Sequence, residues 1–131
     1  MSTEFKQAKN VIPLSRAKQL KANFKEKKGQ LINPKIPATD VIPDSETFNR
    51  EAIDRLLALP GCVGIRIYYG LDEEFKLHSI LVGVDEQGND LIIPDTNTTS
   101  TTGLTAAGEG EVVEDGIRCP PHCPPTSDIN P

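Results

Sequence analysis

Apolar positions recur at Phe48, Ala52, Ile53, Leu56 and Leu57, a spacing of i, i+4, i+5, i+8 and i+9 that predicts one apolar helical stripe. Asp44-Ser45-Glu46 precedes it with a capping residue and acids for the first turn, and Pro60-Gly61 ends it. Upstream, Val11-Ile12-Pro13-Leu14-Ser15 reads as a helix entry with Ser15 as the N-cap. Arg16 to Lys28 then places Ala17, Leu20 and Phe24 on one stripe, and Gly29 stops the helix. Three prolines between Asn33 and Pro43 hold the intervening chain extended.

After Gly61 the period shortens to two. Val63, Ile65, Ile67 and Tyr69 share one face of a strand, and Cys62, Gly64, Arg66 and Tyr68 the other. A polar turn at 70–74 leads to a second strand from Lys76 to Val84, apolar on both faces. Asp85-Glu86-Gln87-Gly88-Asn89 reads as a hairpin loop before a short third strand, Asp90 to Ile93. The expected fold is α+β: two helices followed by a small antiparallel three-stranded meander, with the second helix packed on the sheet.

Beyond Pro94 the chain turns to Thr, Ser, Gly and Pro, too polar to offset the entropy of ordering. The organisation expected is a basic flexible arm over 1–14, an α+β domain over 15–93 and a flexible, disordered acidic tail over 94–131.

Composition sharpens this picture. Only 37% of the 131 residues are hydrophobic and tryptophan is absent, so the core is aliphatic and small. A domain so lightly stabilised gains by pairing with another chain, and a protein partner or self-association is expected. Up to Lys35 nine basic residues face two acidic ones, and beyond it five face seventeen. This asymmetry suits a solvated or self-paired arm. With only Phe5 and Phe24 as aromatics up to Lys35, stacking platforms are lacking and nucleic acid is not an expected partner. No apolar run approaches the roughly 20 residues of a membrane span. The first residues carry no apolar segment of a secretory signal, so a cytoplasmic protein is expected.

Chemistry is concentrated in few residues. Cys119-Pro120-Pro121-His122-Cys123 brings two thiols and an imidazole within five positions, a donor set for zinc or copper if the loop folds round. The competing readings are a stiff polyproline-like tail whose cysteines pair with each other or with nothing, and a site of covalent modification. Cys62 reads as a small buried strand residue and His78 as a partly buried imidazole; a nucleophilic pair between them lacks an orienting carboxylate. No catalytic set is assigned. Arg66 and Tyr68 share a sheet face and would centre a partner-binding surface, with cross-strand packing the alternative. The acidic turns Asp72-Glu73-Glu74 and 85–90 lack the acidic alternation of a calcium loop.

The segments Gly61-Cys62-Val63-Gly64-Ile65-Arg66-Ile67-Tyr68-Tyr69-Gly70 and Leu81-Val82-Gly83-Val84-Asp85, with the Cys119-to-Cys123 motif, resemble a group of small uncharacterised proteins from Bacteroidota bacteria. The resemblance runs from about Ile12 to Pro125. It implies one globular module with a Cys-Pro tail and a bacterial source, and it carries no known activity or cofactor to transfer.

Overall fold

A computed structural model describes residues 8–94 and 110–130. Its element order is helix α1 (Leu14–Lys27), a 3-10 turn (Lys28–Leu31), β1 (Ser45–Thr47), α2 (Arg50–Leu57), β2 (Gly64–Leu71), β3 (Leu77–Val84), β4 (Asp90–Leu91) and β5 (Ile117–Cys119). The strands form a three-stranded sheet of order β2-β3-β4 and a separate two-stranded sheet of β1 and β5. The described residues divide into two compact units: 48–70 with 78–94 and 110–116, and 8–47 with 71–77 and 117–130.

The first unit holds α2 and most of the meander. Asn49, in extended conformation, caps α2 by accepting the Ala52 N–H at 2.9 Å. The cap expected at Asp44 or Ser45 is displaced, because Ser45, Glu46 and Thr47 pair as a strand instead. Leu56 is fully buried and centres a cluster with Leu81, Ile93 and Val113, against which Phe48, Ala52, Ile53, Leu59 and Ile65 pack. Every apolar position of the predicted stripe except Leu57, which is 49% exposed, joins this cluster. Gly83 lets the end of α2 close on the sheet: a Cβ there would lie 3.0 Å from the Cys62 sulfur and 3.5 Å from the Leu56 carbonyl oxygen.

The meander is antiparallel, as the short connections between its strands require. Val63 N–H donates to Val84 C=O, and Gly83 and Val84 pair with Leu91 and Asp90. The expected flexible tail divides. Residues 95–109 lie outside the described residues, whereas Glu111 bridges Ile93 and Val113 bridges Leu81, so this stretch rejoins the meander. Val113 is buried at 5% exposure in the Leu56 cluster, and that burial, with its two backbone bonds to Leu81, favours the return.

The second unit holds α1, β1 and β5. α1 begins one residue earlier than Ser15: Pro13 caps it, its C=O accepting the Arg16 and Ala17 N–H groups, with no side-chain cap. No residue of α1 is buried, and its predicted stripe is only half covered, Leu20 being 46% exposed. Lys21 and Lys28 stand over the Phe24 ring at 6.0 and 5.5 Å, a cation–π arrangement that accounts for two of the basic residues. Lys28 also pairs with Asp44 at 3.0 Å. Of the expected arm, residues 1–7 are outside the described residues and 8–13 are exposed without an assigned element. β1 and β5 pair antiparallel, Ser45 opposite Cys119 and Thr47 opposite Ile117. Thus 117–119, placed in the tail by composition, is a strand with Cys119 buried. Among the described residues no helix is long and apolar enough to cross a membrane.

Candidate functional site

Arg66 and Tyr68 lie on one face of β2, as their spacing predicts. Their polar ends converge on Asp90 of β4: Arg66 Nη1 donates to Asp90 Oδ1 at 2.5 Å and Tyr68 Oη donates to Asp90 Oδ2 at 2.5 Å. Arg66 also donates to Gly88 C=O at 3.0 Å. Since β3 lies between β2 and β4, both side chains cross it, over a face where Val82 and Val84 are each only 4% exposed. The Tyr68 hydroxyl and then the Arg66 guanidinium hold the Asp90 carboxyl below its ordinary range, and Asp90 in turn raises Arg66. Asp90 has no sequence signal of its own beyond its place after a hairpin loop. Its role is visible only once the sheet order is known.

The outer edge of β2 is the other feature of this sheet. No strand among the described residues pairs with it. On the face opposite Arg66, Ile65 packs into the core, while Ile67 and Tyr69 beyond it are 49% and 69% exposed. An eight-residue edge without lysine or proline, flanked by uncovered apolar side chains, is a template for strand addition.

Cys62 and His78 are not a pair. The Cys62 sulfur contacts Gly64 C=O at 3.2 Å and lies by Gly83, five residues along β3 from His78, or roughly 16 Å. His78 Nδ1 is instead 2.8 Å from Glu114. In the acidic turns, Asp85 and Asp72 use their carboxylates to hold the turn backbone. Asp85 Oδ1 accepts the N–H groups of Gln87 and Asn89, and Asp72 Oδ1 those of Glu74 and Lys76. These bonds hold Asp85 below the usual carboxylate range, the Asn89 side chain contributing most.

In the second unit, Cys119 and Cys123 form a disulfide with Cα atoms 4.5 Å apart. The oxidised sulfurs offer no thiolate, so the Cys119, His122 and Cys123 donor set expected for zinc or copper is closed to metal in this state. Of the open readings for this motif, pairing of the two cysteines with each other is the one observed. The Cys119–Pro120 and Pro120–Pro121 peptide bonds are both cis. Arg118 fixes the base of the loop, its guanidinium donating to Leu77 C=O and to Asp40 C=O, the latter at 3.0 Å. The basic face of α1, with Lys18, Lys21 and Lys25, forms one wall of a groove of about 790 Å³, with Asp128 and Ile129 opposite. The composition of 94–131 does not anticipate this arrangement. No family model, curated protein or solved structure matches the chain.

Proposed function

We propose that this chain is a non-enzymatic protein-binding or assembly module that engages a second copy of itself by antiparallel pairing of β2 edges. The observation that carries the reading is the open β2 edge with Ile67 and Tyr69 exposed beside it. An antiparallel two-fold pairing presents the same patch from both copies, so Ile67 and Tyr69 of one face those of the other. The one charged residue of the strand, Arg66, is tied to Asp90 and leaves the edge without a repelling charge. The clamp formed by Arg66, Tyr68 and Asp90 frames the edge in this reading, which puts the partner surface on the opposite face and not at Arg66 and Tyr68.

Light scattering across a concentration series tests this. A monomer–dimer equilibrium is expected, weakened at least tenfold by Ile67→Lys or Tyr69→Lys in variants that keep the parent circular dichroism. A chain that stays monomeric at every concentration, or a dimer indifferent to both substitutions, overturns the reading.

A further inference from the structure

We propose that the Cys119–Cys123 disulfide is a thiol-exchange site, in which Cys123 takes the external thiol and Cys119 is the resolving partner. The two sulfurs have unlike surroundings. Cys119 sits in β5, opposite Ser45, is 5% exposed, and its C=O accepts the Asp44 N–H at 2.7 Å. Cys123 follows the strand and is exposed. An incoming thiolate therefore reaches the Cys123 sulfur, because exchange rates depend on access to the sulfur attacked.

The loop between them favours reclosure. Two of its three residues are prolines, whose rings fix φ, so reduction releases little backbone freedom. Its base is held independently of the disulfide, by the Arg118 guanidinium on Leu77 and Asp40 carbonyls and by the His122 N–H on Arg118 C=O at 3.0 Å. Cys119 therefore keeps its place when the bond opens. The third cysteine, Cys62, belongs to the other unit, where its sulfur contacts Gly64 C=O.

The chemistry balances with a small thiol as the co-reactant. Its thiolate bonds to the Cys123 sulfur, the Cys119–Cys123 bond breaks, and Cys119 leaves as a thiolate. A second thiolate attacks the external sulfur of the mixed disulfide. This releases the oxidised small disulfide and leaves both cysteines reduced, a two-electron change. The reverse sequence, starting from the oxidised small disulfide, closes the loop. This inference is independent of β2 pairing, which uses other residues.

Glutathione is the probe. The full chain carrying Cys62→Ala is equilibrated over a series of reduced-to-oxidised glutathione ratios, quenched with acid, alkylated and mapped by mass spectrometry. Cys119 and Cys123 are expected to become alkylated together in one two-electron transition. Intermediates trapped early from the otherwise unaltered chain should carry glutathione on Cys123 and alkyl on Cys119, by tenfold or more over the converse. In Cys119→Ser the Cys123 adduct should accumulate, and in Cys123→Ser adduct formation on Cys119 should slow at least tenfold. Adducts divided evenly between the sulfurs, or a loop that is not reduced until the chain unfolds, overturn the proposal. Because the trapping experiment keeps both loop cysteines, it decides the matter even if a serine variant fails to fold.

Discussion

Arg66 and Asp90 are paired across a strand that belongs to neither of them. The 2.5 Å contact links β2 to β4 over β3, and the Tyr68 hydroxyl closes on the other carboxylate oxygen. The result ties the open edge of the sheet to its shortest strand, which has only two residues to hold it by backbone bonds.

Asp90→Asn should lower the urea midpoint more than Tyr68→Phe does, because it weakens both bonds where the phenylalanine removes one. A double-mutant cycle between Arg66→Ala and Asp90→Asn should show coupling. Additive effects would mean the clamp contributes nothing to stability.

Acid should act through the same residue. Asp90 and Asp85 are both held below the ordinary carboxylate range in the folded chain. Their contribution is therefore present above the unfolded carboxylate pKa and is lost as pH falls through the lower folded values. Chemical denaturation from pH 6 down to pH 2 should show this loss, and Asp90→Asn should flatten it.

Among the described residues, Leu56 is the one fully buried large side chain. Leu56→Ala should cost about 2–5 kcal/mol, enough to unfold much of so small a domain at ambient temperature. Asn49→Ala, which removes the α2 cap, should cost about 1 kcal/mol by the same measurement.

Gly83 gives a different kind of test. The Cβ of Gly83→Ala would press on the Cys62 sulfur at 3.0 Å, with the Leu91 Cβ at 3.4 Å and the Leu56 carbonyl at 3.5 Å behind it. Destabilisation is expected, and Cys62→Ala should relieve part of it. Absence of rescue would locate the strain elsewhere.

The parts of this fold that were legible in the sequence are those with a repeating period. The apolar stripe of α2 and the alternation of β2 describe local chain geometry, and both elements formed where they repeat. β1 and β5 have three residues each and pair across about seventy positions, so no period exists to read. Their partner choice is tertiary, and it also decides the capping of α2, where Asn49 replaces Asp44 or Ser45. Composition averaged over 94–131 concealed Val113 and Cys119, since two buried side chains hardly alter a polar mean. The clamp was half visible: Arg66 and Tyr68 announced a face, whereas Asp90 acquired meaning only from the strand order.

Ile93 and Glu111 exchange backbone bonds at 2.7 and 2.6 Å, so the chain is stapled at two facing points on either side of the segment between them. Once both ends of such an excursion are stapled, lengthening it costs little, about 0.6 kcal/mol per doubling. That makes the connection between Ile93 and Glu111 a natural place to splice in an epitope or a reporter.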